Sequence, residues 1–155
     1  MSEAIDLQPA ALRAPSASEA IEARIDAISA GAITSARAGA AELLLLGEEV
    51  LEQWIKARGE QPTTELRDGF RVLALHRQGA RGEPSFNACR ETCRELVYRH
   101  NVILAGKLSD TQAEHTLRLM ALVAKHLCLF VAGKMQVAGL GEFCCAAKPM
   151  RAGGQ

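Results

Sequence analysis

The side chains of this chain best suited to chemistry are its five cysteines and four histidines. Cys89 and Cys93 are spaced i,i+4, which brings them to one face of a helix. Cys144 and Cys145 could fold back to complete a four-thiolate set, with His100 as a further donor, and tetrahedral zinc suits such ligands. Two features argue against a metal. Zinc thiolates usually sit on turns as C-x2-4-C knuckles, and vicinal cysteines rarely share one ion. Cys89 and Cys93 also fall inside an apolar stripe, where cysteine serves as a small buried hydrophobe. Packing is the preferred role, ahead of redox chemistry and metal binding, and no cofactor is expected.

The histidines do not assemble into a centre either. His115 and His126 share an azimuth but lie about 16 Å apart along a helix axis, beyond the reach of one metal. No helix carries the Glu-x-x-His pattern of a two-metal carboxylate bundle. His100, on the apolar stripe, is expected to be buried and hydrogen-bonded. A Cys93–His100 nucleophile pair would be about 10 Å apart on one helix, too far for a direct hydrogen bond. With no G-x-S-x-G, glycine-rich phosphate loop or H-E-x-x-H, the chain reads as a non-enzyme.

Arginines offer recognition instead of reaction. Arg67/Arg71 and Arg90/Arg94 are like-charged i,i+4 pairs, mildly self-repelling on isolated helices. An acidic partner, phosphates or the acidic first sixty residues folding back would offset that repulsion. Local neutralisation by Asp68, Glu91 and Glu95 is the simpler alternative, with Glu95–Arg99 at a favourable i,i+4 spacing. These four arginines are the candidate partner-binding residues. The stretch LSDTQAEHTLRLMALVAKHL echoes the opening of a helix-turn-helix, but the apolar residues Cys128 to Val131 stand where a tight turn and a base-reading helix would follow.

The elements that would position these residues are helical. Segment 109–133 is the longest apolar stretch, with Leu117, Met120, Ala124, Leu127, Cys128 and Val131 on one side and Leu119, Leu122, Val123, Leu129 and Phe130 over most of the rest. A helix so broadly apolar calls for neighbours all round. Before it, Phe86, Cys89, Cys93, Leu96, Val97, His100, Ile103 and Leu104 form one stripe of a helix over 86–105, opened by Ser85. Gly106 and a Ser109/Gln112 capping box then make an antiparallel hairpin of the two segments. Upstream, the spacing predicts helices over 16–30, from 34 or 35 to 58, and from Thr63 to about Gln78, the last burying Leu66, Phe70 and Leu73. Trp54, Phe70, Phe86, Cys93 and Leu96 join the central segment in the expected core.

The fold expected is therefore an all-α, single-domain bundle of about five helices around the 86–105/109–133 hairpin. Residues 1–15 read as a flexible tail, 16–134 as the bundle, and 135–155 as a loosely docked end with a turn around Leu140 and Phe143. Length supports one self-sufficient core, and 48% hydrophobic residues argue against disorder. Net charge is zero but unevenly spread: ten acids and five bases in 1–60, five and eight in 61–107, three and five in 108–155. That falls short of the excess of a dedicated nucleic-acid binder. The N-terminus lacks a signal peptide's basic start and apolar run. Lys125 and His126 interrupt the one apolar segment before it reaches the length of a membrane span. An odd cysteine count without a secretory signal points to reduced thiols in the cytoplasm.

The function expected is that of a small cytoplasmic adaptor or regulatory protein acting through protein–protein contacts, as a homodimer or through a helix-binding groove. A metal- or thiol-responsive regulator is the alternative, and a nucleic-acid-binding regulator using an arginine-lined helix comes third. Membrane association is not expected.

Overall fold

The structure is a computed structural model, and it describes residues 16–140. The expected tail 1–15, Phe143, Cys144 and Cys145 lie outside the described residues. Five α-helices follow in order: α1 (Ala17–Ser29), α2 (Ala36–Ala57), α3 (Arg71–Ala80), α4 (Arg90–Leu104) and α5 (Asp110–Ala138), with a 3-10 segment at Pro84–Cys89 leading into α4. The all-α bundle is as expected, and among the described residues there is no strand.

Serine oxygens cap the starts of α1, α2 and α5, whereas α3 and α4 have no side-chain cap bond. Ser16 accepts from Glu19 N–H and Ser109 from Gln112 N–H, and each N3 side chain returns the bond to its cap. Such boxes satisfy amide groups that the first helical turn leaves without partners. α5 packs against α2, α4 and α1, so the α4–α5 hairpin is the spine. Leu117, Met120, Ala124, Leu127 and Val131 are buried, as are Trp54, Phe86, Cys93 and Leu96. Phe70 is half-buried at the edge of that core.

Trp54 anchors the lower half. Its ring stacks on Phe86 with centroids 4.9 Å apart, and its Nε1–H donates to Gly79 O at 2.9 Å. Burying such a ring removes roughly 150–250 Å² from water, worth about 4–6 kcal/mol of transfer free energy. The close approach requires a glycine: a Cβ at residue 79 would lie 2.9 Å from Trp54 Cδ1 and 3.0 Å from Phe86 Cε2.

Four expectations need correction. The helix expected from Thr63 begins only at Arg71, because Asp68 (φ 53°) and Gly69 (φ 86°) both take left-handed backbone in a tight Arg67–Phe70 turn. Leu66 is consequently not buried but 64% exposed. Pro84 and Ser85 open a 3-10 segment, and α4 proper starts at Arg90. Gly133 does not end α5, which runs on to Ala138 and stops at Gly139 in a left-handed cap.

The fourth concerns the enclosure of α5. One side stays open, with Leu122 62% and Leu129 52% exposed, because three neighbours cover only part of its circumference. By length and composition alone α5 could cross a membrane, since its most apolar 18-residue window has a mean hydropathy of 1.5. Here its other side forms the core of the bundle.

Candidate functional site

The arginines come together where α3 faces the start of α4. Along α3, Leu73, Arg77 and Arg81 recur at i,i+4 spacing, with His76 and Ala80 beside them. From the other wall come Asn87, Arg90 and Arg94, and the Arg67–Asp68 turn closes one end. Together they line a cleft of about 390 Å³. Among the described residues, five arginines thus line one cleft with a single acid, Asp68.

Among the described residues Arg67, Arg77, Arg81 and Arg90 have no ion-pair partner, whereas several cations outside the cleft are held. Arg24 is held by Glu42, Arg99 by Glu95, Lys125 by Asp26 and Glu22, and Lys134 by Glu83. Arg37 donates to Leu104 O, and Arg58 donates to Gly79 O while its guanidinium lies over Trp54. In the cleft, the one ion pair among the described residues is Arg94–Glu91, at 3.8 Å between exposed groups. Pairs so long and exposed contribute little.

Of the four candidate arginines, Arg67, Arg90 and Arg94 line the cleft. Arg71 does not. Its guanidinium turns inward to Glu48 (3.3 Å) and Glu52 on α2, so the acidic first sixty residues do fold back to meet it. Burial pushes the Glu48 carboxyl above its usual range, against the lowering pull of Arg71. Arg71 Nε also donates to Thr63 O at 2.9 Å. It is a positioning residue for the non-helical strap that precedes the turn.

That strap forms the wall of a second, wider groove of about 770 Å³, lined from Gln61 to Arg67 and by Ala74, Arg77, Gln78 and Arg81. Gln78, 8% exposed, fastens it: its Nε2 donates to Gln61 O at 2.9 Å, and its Oε1 accepts from Thr63 N–H at 2.8 Å. Arg67, Arg77 and Arg81 border both compartments.

Behind the cleft lies a thiol pair. Cys89 and Cys93 are both buried, as their stripe predicts. Hydrogen bonding from the Cys93 thiol, aided by His76, brings the Cys89 thiol down to about 6 despite its burial. Cys93 moves the other way, well above the usual thiol range, because its proton is held in the hydrogen bond to Cys89 and because burial disfavours a second charge there. His76 is the buried histidine of this region, its Nε2–H donating to Phe86 O at 3.1 Å. The Cys89 thiolate is a potential nucleophile, yet at 1% exposure no substrate reaches it in this conformation.

The remaining candidates stay apart from this region. His100, expected to be buried, is half-buried: its Nδ1 lies 3.1 Å from Asn101 Oδ1 and its ring meets Phe70 edge-on. The Arg67–Phe70 turn draws Phe70 to the rim, and His100 follows it. Cys128 is buried against α1, where burial and then the nearby Glu22 and Asp26 push its thiol up to about 11. Among the described residues no group of three or more His, Cys, Asp or Glu is placed to hold a metal ion.

Sequence reasoning missed Arg77, Arg81 and His76. Arg77 and Arg81 were discoverable as the continuation of the Leu73 register. What the fold and cleft define is an all-helical bundle with an arginine-lined cleft. No family model, curated protein or solved structure matches the chain.

Proposed function

We propose that this protein is a small cytoplasmic adaptor or regulatory protein that acts by contact, receiving an acidic segment of a partner protein in its arginine-lined cleft. One observation carries the reading: five arginines from both walls and one end line a cleft whose one acid among the described residues is Asp68, and four of the five have no ion-pair partner among those residues, whereas Arg24, Arg71, Arg99, Lys125 and Lys134 are paired. Arginine suits the task because its planar fork meets carboxylates and phosphates with two parallel bonds. Attraction at such a surface also speeds encounter and weakens with salt. A fluorescein-labelled glutamate-rich peptide should bind, with affinity falling as salt rises, and the Arg90→Glu/Arg94→Glu double variant should abolish binding while keeping its helical circular dichroism. Unchanged binding by that variant would refute the assignment.

Self-association is the second reading, favoured by the exposed Leu122 and Leu129, two turns apart on the open side of α5. Light scattering on a size-exclusion column tests it: a dimer that Leu122→Glu/Leu129→Glu converts to monomer supports the reading, and a monomer at high concentration removes it.

A further inference from the structure

We infer that the partner segment is phosphorylated, its phosphoryl group seated in the arginine cleft and its flanking residues running along the adjoining groove against Thr64–Leu66. The inference rests on the adaptor reading and names the chemistry of its partner.

The first argument is charge density. Among the described residues the cleft carries five arginines against Asp68, and no lysine lines it. Side chains on one face of an extended peptide repeat only about every 7 Å, so a compact cleft collects few glutamates. A phosphoryl group concentrates about 1.5–2 negative charges and three strong acceptor oxygens at one point. Guanidinium forks match that oxygen set in a way that ammonium groups do not.

The second argument is the joined groove. Arg67, Arg77 and Arg81 stand on the border between the two compartments, so a group bound among them is already at the mouth of the wider one. The wall beyond carries Leu66, 64% exposed on a strap that Gln78 and Arg71 otherwise fix in place. The Thr63 and Glu65 N–H groups are spent inside the protein, on Gln78 Oε1 and Thr63 Oγ1. Those of Thr64 and Leu66 have no acceptor among the described residues. Alternating free donors beside an exposed apolar side chain are what a peptide backbone and one of its side chains can use.

The test is fluorescence anisotropy on the full chain with three labelled degenerate peptide pools, identical but for a central phosphoserine, serine or glutamate, and with a single-stranded RNA oligonucleotide. The phosphoserine pool should bind about tenfold tighter than the glutamate pool, as expected where several charge-assisted bonds converge on one group. Arg90→Lys/Arg94→Lys keeps the charge and the fold but loses the forks, so it should erase that preference while retaining the glutamate pool. Leu66→Asp should weaken the phosphopeptide without altering competition by inorganic phosphate. Equal affinity for the glutamate and phosphoserine pools would overturn the phosphate assignment and leave the acidic-partner reading standing. Binding of no peptide pool, or tighter binding of the RNA, would overturn both.

Discussion

Gly79→Ala perturbs the support beneath the cleft without touching a charge. At an ordinary helix position the change would stabilise by about 1 kcal/mol through backbone propensity. Here the new methyl would meet Trp54 Cδ1 at 2.9 Å, Phe86 Cε2 at 3.0 Å and Trp54 Nε1 at 3.3 Å. Both rings are rigid and held: Trp54 by its bond to Gly79 O, Phe86 by aromatic contacts with Trp54, His76 and Phe130. Relief therefore means moving a stacked pair worth about 0.5–1.5 kcal/mol and stretching a hydrogen bond worth about 1 kcal/mol. Overpacking of this kind costs about 2–3 kcal/mol. Subtracting the propensity gain leaves a net loss of about 1–2 kcal/mol, a fall in Tm of roughly 3–8 °C for a chain this long. Gly133→Ala is the internal control, since nothing lies within 4 Å of its Cβ position. It should raise Tm by about 2–4 °C. Thermal melts followed by circular dichroism give both values, and fluorescence of the single tryptophan reports the local repacking. A Gly79→Ala protein as stable as the parent would refute the tight packing argued for Trp54 and Phe86.

Arg71→Ala should destabilise by about 2 kcal/mol in urea melts, because it leaves Glu48 and Glu52 partly buried without their partner. Arg94→Ala should change stability by less than about 0.5 kcal/mol, as expected of an exposed side chain. In the folded protein, ultraviolet thiolate absorbance should show one step with a midpoint of about 6 that disappears in Cys89→Ser and shifts upward in Cys93→Ser. Because folding lowers the pKa of Cys89, its contribution to stability is complete above the unfolded thiol's pKa and is lost as pH falls through about 6. Equilibrium unfolding of the parent and Cys89→Ser across that window checks the sign. Gln78→Ala should release the strap, speeding hydrogen exchange at Thr63 more than tenfold while α5 amides stay protected.

The sequence carried the helices wherever a stripe and a cap agreed. Ser109 with Gln112 opens α5, and the 3–4 spacing of Leu117, Met120, Ala124 and Leu127 names its buried side. It misled where a local conformation overrode the period. Leu66, Phe70 and Leu73 have helical spacing, yet left-handed backbone at Asp68 and Gly69 breaks the segment and turns Leu66 outward. Gly133 looked like a stop, but a glycine inside a long, well-packed helix costs only about 1 kcal/mol. Part of the cleft was legible in Arg67, Arg90 and Arg94. The rest depends on α3 lying against α4, a tertiary fact that no spacing encodes. Arg71 lies outside the cleft because its counter-charges sit on α2, far away in the chain.

The packing of α5 also sets a timetable. Its partners are α1, α2 and α4, all of which leave the ribosome earlier. At about 5–20 residues per second, the 29 residues of α5 take roughly 1.5–6 s to synthesise. Until then the sides of α1, α2 and α4 that α5 covers remain open, although these helices also pack on one another. Nascent chains of this protein should therefore keep part of their apolar surface uncovered until α5 is complete.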